Sequence, residues 1–156
     1  MIELRRPRSN EDVALRASAS RPVLLATLEV PFDPDAARLA VDSAVEAGQP
    51  LIIANAVEIP LGPATVFLQY GDLDPTPEDA AALRAPAQLA HSLGVRVERF
   101  RLKSPHPVDA ILELAAERAP GLLVFGPDRS RIRGRRYRKA SRAIRERAGC
   151  LVWFPE

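Results

Sequence analysis

Cysteine occurs once in these 156 residues, at Cys150. No intrachain disulfide can form, and no cluster of soft ligands exists to hold a structural zinc. Histidine occurs twice, at His91 and His106, too far apart in sequence to suggest a shared site, and both are read as structural or exposed. Nowhere do roughly 18 apolar residues run together, which excludes a membrane-spanning helix from the expectation. The start of the chain, Met1-Ile2-Glu3-Leu4-Arg5-Arg6-Pro7-Arg8, continues into Ser9-Asn10-Glu11-Asp12 rather than an apolar run. No signal peptide is expected, and a reducing, cytoplasmic setting is.

What the chain does have is a block of positive charge. Residues 126–147 hold ten Arg and Lys against two acids, Asp128 and Glu146, a net +8 that leaves −6 for the rest of a chain totalling +2. A basic segment on an acidic body is an electrostatic feature that any functional reading has to absorb.

The hydrophobic pattern predicts one α/β domain over 21–156, after a polar leader over 1–20 that is expected to be disordered. Short apolar runs at Pro22–Leu28, Leu51–Val57, Gly121–Phe125 and Cys150–Phe154 fit strands of a sheet covered on both faces. Between them lie helix signals. Asp33 reads as an N-cap with Pro34 at the first helical position, and Gly48 as the stop. Thr76-Pro77-Glu78-Asp79 reads as a second capped start, and Pro86 is expected to kink or interrupt that helix. The run Gly94–Leu102 alternates apolar with charged residues, as an edge strand with one wetter face does. A third helix is expected from Pro107 to about Ala119, capped by Ser104 or His106. Glu58–Pro75 reads as a long irregular connection.

Strands alternating with helices at these lengths imply right-handed crossovers and a single open parallel sheet of five strands, order 3-2-1-4-5, with helices on both faces. In such Rossmann-like sheets ligands bind beyond the C-terminal strand ends where strand order reverses. That rule points to Leu28–Phe32 and to Gly126–Gly134.

From Val23 to Phe154 the pattern resembles the universal stress protein family, whose adenine nucleotide alpha hydrolase-like fold it matches. The likeness is strongest from Pro120-Gly121-Leu122-Leu123-Val124-Phe125-Gly126 through Ala148-Gly149-Cys150-Leu151-Val152. ATP-binding members carry glycine, two residues, glycine, nine residues, then glycine with serine or threonine. Here the first glycine is Gly126, Arg129 stands at the second, and Arg138 and Lys139 stand at the final pair. Leu28 occupies the place of the first-strand aspartate, and Glu29 beside it is expected to point to the other side of the strand. By family position, nucleotide contacts would fall on Leu28, Val57, Gly126, Arg129, Arg138 and Lys139.

A phosphate cradle made of backbone needs several free N–H groups and glycines that let the chain approach the ligand. Pro127 removes a donor and Asp128 brings a carboxylate to the place of phosphate oxygens. The expectation is therefore a non-enzymatic regulatory protein of the universal stress protein kind, needing no cofactor. Two alternatives stay open. Arg129, Arg138 or Lys139 would chelate the phosphates of ATP or AMP in place of the glycine-rich loop. Or the basic face of the last helix would hold a polyanion, nucleic acid being disfavoured because Tyr137 is the one aromatic in the block. Helical spacing also allows a plain solvated face, with Tyr137, Ala140, Ser141, Ile144 and Ala148 buried and Arg135, Arg138, Lys139, Arg142 and Arg145 outside. Cys150 reads as an inert buried thiol, and Ser130 and Ser141 lack a base. The resemblance implies a homodimer through the last strand, with Pro155 limiting the pairing. Such a dimer is expected to work by binding a partner or ligand, and the sequence does not identify the protein partner.

Overall fold

The computed structural model describes residues 21–60 and 75–156; the polar leader and most of the irregular connection after Glu58 lie outside them. Five strands and four helices alternate: β1 Val23–Leu28, α1 Pro34–Ala47, β2 Leu51–Glu58, α2 Pro77–Ser92, β3 Val97–Ser104, α3 Pro107–Arg118, β4 Leu122–Phe125, α4 Gly134–Arg147 and β5 Leu151–Trp153. The strands form one sheet in the order β3-β2-β1-β4-β5. Every pairing is parallel, with Val23 opposite Leu51 on one side and Leu122 on the other.

The period of two along each strand sorts the core into two layers. Leu24, Ala26 and Leu28 join Ile52, Ala54, Leu123 and Phe125 under α3 and α4. Val23, Leu25, Ile53 and Val124 face α1 and α2. Both faces of β1 are covered, which explains its unbroken apolar run. On β3 the alternation is half wet: Phe100 and Leu102 pack inward while Arg99, Arg101 and Lys103 are exposed.

Local signals act as expected at α1. Asp33 Oδ1 accepts hydrogen bonds from the amides of Asp35 and Ala36, at 2.9 and 3.0 Å. Gly48 ends the helix at φ 61°, the left-handed region that glycine enters without a Cβ penalty. Thr76 caps α2 through a bond from the Asp79 amide. Pro86, by contrast, does not interrupt α2, which runs unbroken from Pro77 to Ser92. The proline loses one main-chain bond, but it is buried on the same helix as Leu83, Ala87 and Ala90, which pack with the buried face of α1, and that packing offsets the loss. At α3, Ser104 Oγ accepts from the His106 amide, while His106 makes no side-chain cap.

Gly126 is buried where β4 passes beneath the first turn of α1. A Cβ there would collide with Ala36 Cβ, so the glycine serves helix-to-strand packing. Gly126→Ala is expected to lower stability by about 1–3 kcal/mol through overpacking. Ala36→Gly should cost about 1 kcal/mol alone, and the double variant should be more stable than the sum of the two predicts. Urea denaturation of the four proteins measures this; strict additivity would contradict it.

Candidate functional site

The strand order reverses between β1 and β4, and the two loops leaving these strands lie side by side. An antiparallel bridge joins Phe32 to Pro127. Around it the main chain is committed inward. The Gly126 amide donates to Ala26 O at 2.9 Å, and its carbonyl accepts from the Asp33 amide at 2.9 Å. The Asp128 amide donates to Pro31 O at 2.9 Å and the Arg131 amide to Asp128 O at 3.0 Å. Asp128 Oδ1 accepts from Ser130 twice, from N at 3.0 Å and from Oγ at 2.7 Å. Pro127 has no amide proton. Four main-chain donors of the turn, the amides of Gly126, Asp128, Ser130 and Arg131, are thus engaged within the protein.

The end of β1 departs from the expectation for Glu29. Its φ is 65°, so the chain leaves the strand at this residue and the strand alternation no longer sets its direction. The Glu29 amide donates to Asn55 Oδ1 at 2.9 Å, and Glu29 Oε1 accepts from the Glu58 amide at 2.6 Å. Glu29 Oε2 pairs with Arg136 Nη1 at 3.2 Å, and Arg136 Nη2 lies 3.5 Å from Glu58 Oε2. A guanidinium from α4 is thereby held between two carboxylates at the C-terminal ends of β1 and β2. Partly exposed pairs of this kind are each worth about 0–1 kcal/mol, so their role is to position Arg136.

The six residues singled out by family position do not share one surrounding. Leu28 and Lys139 share a cleft of 630 Å³ with Glu58, the start of α3 from Pro105 to Asp109, and Arg133, Arg135, Arg136 and Arg147 of the α4 region. Val57 is buried on β2, in the same alternation as Leu51 and Ile53, toward α1 and α2. Gly126 lies under α1. Arg129 lays its guanidinium over the Tyr137 ring, 3.8 Å from the centroid, and Arg138 sits beside Gly134. Because α4 begins at Gly134, Arg138 and Lys139 stand in its second turn, where helix bonding occupies the amides.

Of the other cleft residues, Arg133 lies in the Gly126–Gly134 stretch that the strand-order rule marked and Arg135 on the basic helix face, whereas Glu58, Arg136 and Arg147 escaped the sequence reading. The available signal was the start of α4: its cap residue Arg133 makes no side-chain cap and its first turn carries no acid. Among the described residues no group of His, Cys, Asp and Glu could hold a metal ion. Nor is any described helix long and apolar enough to cross a membrane. Burial pushes the Cys150 thiol up, which keeps it protonated and poorly nucleophilic.

A second ion pair closes the far side of the loop, where both Nη atoms of Arg131 reach the carboxylate of Asp79 in the first turn of α2. The bonds from Arg131 hold the Asp79 carboxyl below its ordinary value. A carboxyl lowered in this way lends its contribution above the unfolded-state value and loses it as pH falls through the folded one. Carbon-detected NMR titration should find Asp79 below the usual aspartate range, and Arg131→Gln should return it there. An unchanged titration in the variant would contradict the bridge.

The sequence profile of the universal stress protein family matches residues 19–154. No curated protein matches the chain in sequence. Among solved structures, a universal stress protein from Archaeoglobus fulgidus superposes with a TM-score of 0.62 at 20% identity, covering 92% of this chain and 99% of that one. The universal stress protein from Archaeoglobus fulgidus in complex with dAMP gives 0.60 at 19%, covering 88% and 99%. A family protein from Arabidopsis thaliana with AMP bound gives 0.52 at 17%, covering 85% and 90%. At these identities the likeness is one of fold.

Proposed function

This chain belongs to the universal stress protein family, and from that premise we propose that it is a cytoplasmic regulatory protein of the stress response, acting as a dimer without ATP turnover. The observation that carries the reading is the inward hydrogen bonding of the β4–α4 turn, where the amides of Gly126, Asp128, Ser130 and Arg131 all have acceptors within the protein. Transferring a phosphoryl group requires donors aimed at the charge that develops in the transition state. A turn whose donors already have partners supplies few of them. The single cysteine fits a reducing compartment.

Dimerisation is supported by β5. Among the described residues it is an edge strand paired to β4 alone, and Leu151 on it is 71% exposed. An open edge with a large apolar side chain invites pairing, and a two-fold axis lets one strand cover its copy. Sedimentation velocity should give a species of twice the chain mass, and Leu151→Asp should shift it to the monomer. A monomeric parent protein would overturn this part of the reading.

A second reading, in which an adenosine nucleotide is held by side chains, is favoured by the structures of similar fold solved with dAMP and AMP and by Lys139 in the cleft. Calorimetry with ATP and AMP, together with a phosphate-release assay, separates the two. The regulatory reading expects no phosphate release above the uncatalysed rate over a day. Steady release abolished by Lys139→Ala would replace it with a hydrolase.

A further inference from the structure

Apart from Leu151, the large apolar side chains that stand exposed among the described residues sit together, at the end of the sheet opposite the β1 and β4 loops. Val45 near the end of α1 is 42% exposed, and Leu89 and Leu93 at the end of α2 are 50% and 53%. Val45 and Leu93 line one cleft of 380 Å³ between the two helix ends. Ala85, also exposed, lies one helical turn before Leu89, so an apolar stripe runs at a spacing of four along α2. The same helix buries Leu83, Ala87 and Ala90 in the core. A helix with apolar residues on two sides has a second surface to cover.

Charge flanks this patch unevenly. α1 packs over β1 and β4 and α2 over β2 and β3, so the two helices lie side by side on one face of the sheet. On the α1 side Asp42 and Glu46 are exposed; on the α2 side His91 is exposed, with Arg96 at the entry to β3. Among the described residues none of these four makes an ion pair. α1 carries no base in its last turn. Glu46 there meets the negative end of its own helix macrodipole, a small penalty that a cation from outside offsets.

Acid on one rim and base on the other make the face complementary to itself. A two-fold axis along the seam between α1 and α2 sets each α1 over the α2 of a second copy. Val45 of one copy then meets Leu89 and Leu93 of the other, and Glu46 of one comes to His91 and Arg96 of the other. An axis across the helices would instead set acid on acid. Further back along the helices, Arg38 and Arg84 are like charges at matching depth. A helix crossing of about 50° carries them apart while the C-terminal ends stay in contact. Charge therefore selects a second copy of this chain as the occupant, and selects its orientation.

We propose that the C-terminal ends of α1 and α2 form a second self-association surface, separate from the β5 edge, with Val45, Leu89 and Leu93 at its centre and Glu46 paired to Arg96 across it. Dimers joined at β5 would link through it into larger assemblies as concentration rises. Three large apolar side chains from each copy make a small contact beside stable interfaces. Pairing is therefore expected only near about 0.1 mM chain and above, and well below that the β5 pair stands alone. The surface does not depend on the β5 reading, and the test keeps the two apart.

The test is sedimentation equilibrium of the full chain carrying Leu151→Asp, which removes the β5 pairing, from about 10 µM to about 1 mM. Reversible dimerisation is expected within that range. Leu89→Asp, at an exposed position, should weaken it at least about tenfold with an unchanged circular dichroism spectrum. Glu46→Lys alone and Arg96→Glu alone should each weaken it about threefold or more, because the two-fold axis repeats each contact. The two exchanges together should return it to within about twofold of the Leu151→Asp chain. Absence of dimers at about 1 mM would overturn the proposal and leave the face to another occupant. Dimers unaffected by Leu89→Asp, or a double exchange as weak as either single one, would overturn it as well.

Discussion

The bridge between Phe32 and Pro127 ties together the two loops that leave the sheet at its reversal point, and most features of the site follow from it. With the loops joined, the Asp128 amide meets Pro31 O and the Gly126 carbonyl meets the Asp33 amide. The turn after β4 thus gains its order from β1 and α1 rather than from a ligand. Buried main-chain groups must be paired, and pairing them inward removes them from phosphate chemistry. The close packing of Gly126 on Ala36 has the same effect, because it seats the start of the turn beneath α1.

Positive charge then takes the place that main-chain donors leave. Arg136 is drawn between Glu29 and Glu58, Arg147 to Asp109, and Arg131 to Asp79. Each pair is individually weak at such exposure, yet together they decide which cations remain. Among the described residues, Arg133, Arg135 and Lys139 have no carboxylate partner and line one cleft, while Arg129 lies over Tyr137, Arg145 over Phe154 and Arg138 beside Gly134. The basic segment noticed in the sequence is therefore mixed: arginines paired with carboxylates, arginines laid over rings, and cations that face a cleft or solvent.

The fold was legible because its signals are local. Unbroken apolar runs marked β1 and β2, and Asp33, Pro34 and Gly48 bounded α1 to the residue. The buried stripe of α4 also follows from spacing alone, with Tyr137, Ala140, Ser141 and Ile144 inside. Pro86 misled because local propensity favours interruption while packing against α1 holds the helix together. Glu29 misled for another reason: a glutamate at positive φ is uncommon, and its bonds to Asn55 and Arg136 join residues distant in sequence. Of the six positions carried by family likeness, Leu28 and Lys139 reach the cleft, whereas Arg129 is drawn onto Tyr137 and Arg138 lies beside Gly134. Because α4 starts at Gly134, Arg138 and Lys139 stand in its second turn, past the amides that helix bonding leaves free.

Amide hydrogen exchange, read residue by residue with and without millimolar ATP, tests the central claim most directly. The account predicts that the amides of Asp128, Ser130 and Arg131 exchange slowly in the free protein and at the same rate with ATP present. Fast exchange in the free protein that becomes slow on adding ATP would contradict it.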